Sequence, residues 1–402
     1  MANGTQALTH QLIARKAAKM LVEQNTVMSN INLDREVEFE RDTNGYTRGE
    51  TVRVKIPPTP KTYSGSNFAG GGAAPSMTET SVNLTVDQQV HVPIMFTAKE
   101  KKLEVTDFEN RFLRPAMNAL ISDVNRICLL EMKNRIATVL GTSGTVPATR
   151  TPWRNASSAL DRFLAPDMDR SAHFSIDASD ALAEANATLF SNRSEIDNQF
   201  KENSIGRFAE MDFYKQLSLP VHVNGAGTGY LVNGAGQTGS SLAVNTGTGA
   251  ITRGSVFTLP GVNATHPVTG ADAGVLRQFV VTADYAGGAG NIAIFPAITL
   301  TSASVVGTVT ALPTTTNALT FVGAASTSRR QNIVFHKDAF ASAFVPLPVL
   351  ASCEGYTATM KNISVRVMSF GDGKLDQENT RIDVLFALPA AIRADHAARV
   401  TE

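Results

Sequence analysis

The segment 223–328 carries four charged side chains in 106 residues, Arg253, Asp272, Arg277 and Asp284, and it holds 17 of the chain's 30 glycines. Its flanks are ordinary. Residues 1–105 contain 12 basic and 11 acidic side chains, 106–222 contain 13 and 15, and 329–402 contain 9 and 8. Because charge density falls at one border and resumes at the other, the segment reads as a module inserted into a parent domain. Inside it, the runs GSVFTL, LRQFVVTA and NIAIFPAITL lie between Gly, Asn and Pro turns and predict strands of about five residues. Val256, Phe257, Leu259, Phe279, Val280, Val281, Ile292, Ile294 and Ile298 supply a small core. A small β barrel or sandwich is expected over 225–328. Its glycine-rich opening, up to about residue 250, also fits a flexible loop. The two ends of the module are expected to lie together, so that a short linker in place of 226–327 leaves the parent soluble.

The parent chain reads as α+β. Leu8, Leu12, Ile13, Met20 and Leu21 predict an amphipathic first helix, with Thr5 or Thr9 as its cap. Val52, Val54 and Ile56 alternate with polar residues in one strand, and Val82, Leu84, Val86, Val90, Val92 and Ile94 do so beyond a glycine-rich tip. Thr106 and Glu109 have capping-box spacing, and an apolar stripe from Phe108 to Val139 predicts a helix over 107–140, stopped by Gly141. It would be about 51 Å long, with Pro115 kinking it or starting it afresh. Further helices are expected at 152–164, with Pro152 near the first position, at 177–190, capped by Asp177, and at 193–202. SAHFSI reads as a strand between the first two.

Candidate chemistry is sparse. The seven histidines, His10, His91, His173, His222, His266, His336 and His396, show no metal-ligand spacing. His336-Lys337-Asp338 reads as a turn, with Asp338 capping a helix over 339–344. Asp167 with Asp169, and Asp372 with Asp376 and Glu378, read as polar turns without the ligand order of a calcium loop. The glycines at 70–72 and 225–229 lack the strand–loop–helix setting of a phosphate cradle. Cys128 sits on the apolar helical stripe and reads as a core residue; with Cys353 it is one of two cysteines, too few for a disulfide scaffold. Trp153 reads as an anchor for a helix start. No catalytic, cofactor-binding or metal residue is assigned, and no enzyme is expected. No signal peptide or membrane span is expected either.

Several stretches, taken in order, carry a resemblance: FTAKEKKLEVTDFENRFLRPAMNALISDVNR at 96–126, ALDRFLAPDMDRSAHFSIDASDALAEANATLF at 159–190, FAEMDFYKQLSLPVHVNG at 208–225, RGSVFTLPGVNATHPVTG at 253–270, RQNIVFHKDAFASAFVPLPV at 330–349 and TRIDVLFALPAAIRADHAARV at 380–400. The chain resembles the major capsid (coat) proteins of tailed bacteriophages, in particular the Salmonella podophage coat protein family. That resemblance implies a Hong Kong 97-type capsid fold with a long spine helix, an extended β loop, a mixed α/β axial domain and an inserted β-barrel-like domain. It implies an N-terminal arm at 1–45, an extended β-hairpin loop at 46–100, and a peripheral domain with the spine helix at 101–149. The axial domain begins at 150–224, the inserted β domain follows at 225–328, and 329–402 returns through the axial and peripheral domains. It further implies a structural subunit that assembles as hexamers and pentamers into an icosahedral shell around double-stranded DNA, in the host bacterial cytoplasm, with scaffolding and portal proteins as partners and no cofactor. In the family the inserted domain reaches neighbouring capsomers through charged contacts; here Arg253, Asp272, Arg277 and Asp284 are the residues available for that. Lys61 in the loop is a nominal site for covalent crosslinking. The alternative reading is a β-rich phage decoration or adhesin-type binding protein.

Lys plus Arg and Asp plus Glu both number 36, and no terminal basic tract appears. Free subunits are therefore expected to leave double-stranded DNA unretarded in a gel at physiological salt, because little phosphate charge would be neutralised. Tight, salt-sensitive retardation would contradict this.

Overall fold

A computed structural model describes residues 3–33, 51–56, 80–97, 109–186, 207–302, 306–372 and 377–402. The loop tip at 62–74, Lys61, the glycines at 70–72, Thr106, the expected helix at 193–202 and Asp376 lie outside these residues. In chain order come helices α1 (Asn3–Gln24) and α2 (Thr26–Ser29), strands β1 (Thr51–Ile56) and β2 (Thr80–Thr97), and α3 (Arg114–Arg135), entered by a π-helical turn at Glu109–Leu113. Then follow β3 (Val139–Leu140), α4 (Arg150–Arg162), β4 (Arg170–Phe174), α5 (Ile176–Asn186), β5 (Arg207–Phe208), β6 (Met211–Lys215) and β7 (Val221–Val223). The inserted segment supplies β8 (Leu231–Val232), β9 (Gly239–Asn245), β10 (Val256–Thr265), β11 (Asp272–Val281), β12 (Gly290–Ile298) and β13 (Thr320–Phe321). The chain closes with β14 (Ser328–His336), β15 (Phe340–Ala341), β16 (Glu354–Met360), β17 (Ile363–Asp372), β18 (Gln377–Ala387), β19 (Ala390–Ala391) and β20 (Ala397–Thr401). These form two compact units, one of Met1–Val54, Val82–Leu129 and Phe340–Ala390, the other of Lys55–Ser81, Leu130–Ala339 and Ala391–Glu402.

The first unit is built on a five-stranded sheet of order β1-β2-β18-β17-β16. Strand alternation works as expected in β1, where Val52 and Val54 are buried between exposed neighbours. The run from Thr80 is one continuous 18-residue strand. It keeps register with β18 from Thr97 opposite Gln377 to Gln88 opposite Phe386, and the register shifts before Val86 meets Ala387. Helix α1 lays Ala14, Ala17, Ala18 and Leu21 inward, and His10 meets Ser369 of β17 at 2.9 Å. Thr5 and Thr9 lie inside this helix rather than at its cap. Two ionised groups inside this sheet face each other: Arg366 donates from Nε and Nη2 to Asp383 at 3.0 and 2.5 Å, which satisfies a carboxylate with no exposed surface.

Helix α3 is shorter than its apolar stripe suggests. It ends at Arg135, about 33 Å from its start. Ile136 and Val139 continue the stripe and are buried, but Val139 and Leu140 form β3, which pairs in parallel with Arg399 and Val400 of β20. Pro115 is the second residue of α3 and follows the π-helical turn directly. Cys128 is fully buried, as its place on the stripe predicts.

The second unit holds a seven-stranded sheet of order β3-β20-β14-β4-β6-β5, with β7 also paired to β14. Trp153 on α4 is buried against the edges of Phe174 and Phe213, at ring distances of 5.8 and 5.4 Å. Its Nε1–H donates to the Pro147 carbonyl at 3.2 Å. Helix α5 is capped by Ser175, whose Oγ accepts from Ala178 N at 3.0 Å. Asp177 lies in the first turn and takes Arg330 Nη1 at 2.8 Å. No helix follows Asp338: Lys337–Ala339 is a single 3-10 turn leading into β15, and Asp338 N donates to His336 Nδ1 at 3.2 Å.

The inserted segment forms a six-stranded sheet of order β13-β10-β11-β12-β9-β8. Its two outer strands meet. Leu231 bridges Ala318, just before β13, and Val232 N donates to Asn317 O at 2.9 Å while Leu319 N donates to Tyr230 O at 3.0 Å. The ladder therefore runs full circle. It encloses Tyr230, Val232, Leu242, Val244, Phe257, Leu259, Phe279, Val281, Ile292, Ile294 and Ile298. The glycine-rich opening is part of this ring rather than a free loop. Close approach explains one of its glycines directly, since a Cβ on Gly247 would lie 2.0 Å from the Tyr230 ring.

The ends of the module are neighbours, as expected: Ser328 pairs with Val223 and Arg329 with His222 in an antiparallel ladder. The parent leans on the module, however, because Val256 and Val280 complete a small core with Ala137 and Val139. The fragment 225–328 is expected to fold alone, with dispersed amide resonances and a cooperative melt, since its main core is internal. The parent with 226–327 replaced by a linker is expected to lose solubility, in contrast to the expectation from sequence. A collapsed fragment spectrum, or a soluble and cooperatively melting parent, would reverse this.

Candidate functional site

The place where the barrel meets its parent within the second unit concentrates the buried polar chemistry. Two strands cross there, and side chains on both tie the crossing. Asn224 Nδ2 donates to the carbonyls of Val322 and Gly323 at 3.0 and 3.2 Å. Arg329 donates to Val322 O at 2.9 Å and Ala324 O at 2.6 Å. Ser326 N reaches Asn224 O at 2.9 Å. These bonds satisfy the carbonyls of a tight crossing and hold exit beside entry.

Both arginines of the barrel turn toward the parent. Arg253 Nη2 donates to the two carboxylate oxygens of Glu131 on α3, at 2.7 and 2.8 Å, and Arg135 Nε reaches the same carboxylate at 2.9 Å. Arg277, 4 % exposed, donates to Asp395 at 2.6 Å and lies over the Phe163 ring at 4.9 Å. The two acidic groups are taken up within the barrel. Asp284 accepts Arg253 N at 2.6 Å, and Asp272 accepts from Asn263 and from Gly274 N, both at 2.8 Å. All four charged side chains of the inserted segment are thus engaged inside the chain. Gln278 adds a contact of strand type: Val139 N donates to its Oε1 at 2.5 Å and its Nε2 donates to Val139 O at 3.0 Å.

Beneath these lies a cationic socket. Lys133 Nζ donates to His222 Nδ1 at 3.3 Å, and the other ring nitrogen faces Ser255 Oγ at 3.4 Å. Arg399, on β20 and 1 % exposed, donates from Nη1 to Gly254 O at 3.0 Å. Burial, then the Lys133 and Arg399 charges, push His222 down to about 3. Burial and the neighbouring Arg399 and Arg253 push Lys133 down to about 8. Burial lowers Arg399 to about 9. His222 is therefore neutral, and its Nδ1 lone pair receives the lysine.

The remaining polar groups noted in the sequence do not gather into one site. Asp167 joins Asp161 and Glu210 around the buried Arg170, which donates to them at 3.1, 2.7 and 3.2 Å. The guanidinium already supplies the positive charge these three exposed carboxylates share. Asp169 contributes its carbonyl to Lys337 N at 3.1 Å. His336 and His396 have ring centres 6.1 Å apart, His173 is stacked between Tyr214 and Phe335, and His266 caps a turn. Among the described residues no helix is long and apolar enough to cross a membrane. Sequence reasoning missed Lys133, His222 and Arg399 as a group. They come from a helix end, an entry strand and the last strand, with no shared spacing to link them.

A family model described as "P22 coat protein - gene protein 5" matches residues 239–397. No curated protein matches the sequence. A solved structure from Mycobacterium phage Che8 is 12 % identical with a TM-score of 0.50, covering 93 % of this chain and 90 % of that one. The capsid structure of the Cyanophage P-SCSP1u is 11 % identical, covers 88 % and 83 %, and has a TM-score of 0.44. The asymmetric unit of the bacteriophage PhiM1 mature capsid is 9 % identical, covers 88 % and 82 %, and scores 0.42.

The sign of the histidine shifts sets a pH dependence. The folded state holds His222 and His173 neutral, both near 3 against an ordinary 6.5. Their contribution is complete above about pH 6.5 and is lost as pH falls from there toward 3, at up to about 1.4 kcal/mol per pH unit for each group. Urea unfolding between pH 7 and pH 4 is expected to show this loss, and His222→Gln is expected to remove one proton from its slope. An unchanged slope would place the acid sensitivity elsewhere.

Proposed function

We infer that this chain is a major capsid protein of tailed bacteriophages, with the α+β Hong Kong 97-type fold. The observation that carries the inference is the coat-protein family match over 239–397. It runs from β9 through the barrel, out along β14 and through the returning strands to the start of β20. The likeness to the Che8 structure across 93 % of the chain supports the fold. No observation favours the decoration or adhesin reading.

The role is structural. The chain makes a shell with copies of itself as hexamers and pentamers, located in the virion, and the shell encloses double-stranded DNA without reading its sequence. Scaffolding and portal proteins act during assembly in the host cytoplasm. In this reading 1–45 is the arm, 46–100 the extended loop, and 101–149 the peripheral domain with α3 as spine. The axial domain takes 150–224 and part of 329–402, and 225–328 is the inserted domain. The neutral composition suits containment: a shell that gripped DNA phosphates would resist their packing and release.

Electron microscopy of the purified chain, alone and co-expressed with its scaffolding protein, tests the reading. Closed shells or capsomer rings in either sample are the expected result. Discrete small oligomers in both would overturn it.

A further inference from the structure

We propose that the socket around Gly254 binds a small monovalent inorganic anion of halide size. The first observation is the state of Arg399. Its side chain is buried at 1 % exposure, its Nη1 is taken by Gly254 O, and Nε and Nη2 find no acceptor among the described residues. Buried charged donors call for a partner, because removal from water is compensated only by hydrogen bonds and opposite charge.

The second observation is the local charge. Lys133 feels the positive fields of Arg399 and Arg253, and His222 those of Lys133, Arg399 and Arg329. One carboxylate, Glu131, stands against them, and it already receives Arg253 and Arg135. Arg329 donates from its two terminal nitrogens to backbone carbonyls, which bring no charge. Positive charge is therefore in excess at a site that water screens poorly.

The third observation is convergence. Gly254 sits at φ +90°, and a Cβ there would meet Asn134 Oδ1 at 2.7 Å, Lys133 Cε at 3.4 Å and His222 Cε1 at 3.5 Å. Asn134 Oδ1 also has no partner among the described residues, and with its amide turned the NH2 would face the cradle as a further donor. Lys133, Asn134, His222 and Arg399 thus surround one glycine, each less than a tenth exposed. Crowding over Gly254 excludes a phosphate or a carboxylate side chain, and the open Nε and Nη2 donors of Arg399 set the place of a smaller ion. Such an ion would bridge α3, the 252–255 turn and β20, and so stiffen the seat of the barrel.

The test uses the full-length subunit. Chloride-35 NMR is expected to show excess line broadening that bromide displaces, that Arg399→Gln abolishes, and that Arg330→Gln at the half-exposed neighbouring arginine retains. Exchanging gluconate for chloride at constant ionic strength is expected to raise the thermal midpoint by a few degrees, and Gly254→Ala is expected to flatten that response. Broadening no greater than that of bulk chloride in the wild-type subunit, or equal midpoints in the two salts, would overturn the proposal and leave Arg399 to ordered water. Broadening that survives Arg399→Gln would overturn the placement. The wild-type measurements decide the matter even if a variant fails to fold.

Discussion

The Thr252–Ser255 turn is where the inserted barrel is fastened. Its backbone carbonyl at Gly254 receives Arg399, its Arg253 reaches Glu131, and Thr252 Oγ1 donates to Val223 O at 2.7 Å. A module with four charges has little to hold itself by, and it uses both of its cations on one partner, the parent. Charge-assisted hydrogen bonds in half-buried surroundings are stronger and more directional than surface pairs. The barrel's attitude to α3 and β20 then follows from bonds, whereas apolar contact through Val256 and Val280 alone would leave it freer to slide.

This arrangement changes what the composition break means. By the family resemblance, the scarce charges were the residues available to the insertion for reaching another capsomer. In the folded chain Arg277 is bound to Asp395 and covered by Phe163, and Asp272 closes its own turn. In the proposed capsid role, contacts between capsomers through this domain would draw on its uncharged surface. Leu276 and Leu300, each nearly half exposed, are the kind of side chain available for that.

Much of the fold was legible because burial imposes a period. Val52 and Val54, the strand runs SVFTL and QFVVTA, and the inward face of α3 follow directly from spacing, although β10 and β11 extend to ten residues each where about five were expected. The failures share a cause. Ile136 and Val139 satisfy the helical stripe, yet Val139 is recruited by the backbone of β20 and the amide of Gln278, 139 residues away. Asp338 looked like a cap because a helix was assumed to follow. The residues from Phe340 to Phe344 are buried and are tied to other segments by bonds such as Ala387 N to Ala343 O. The socket was illegible for the same reason, since only the fold brings Lys133, His222 and Arg399 together.

Ring closure at Leu231 and Ala318 has a meaning for a protein that, in the proposed role, packs against many copies of itself. An open sheet ends in a row of unpaired amides and carbonyls that another chain can extend, and soluble proteins commonly blunt such rims with lysine or glutamate. The barrel has almost none of these to use. Joining its first strand to its last removes the rim itself, so the domain tolerates near-neutrality at crowding that would drive an open sheet of the same composition into sticky, edge-to-edge stacks.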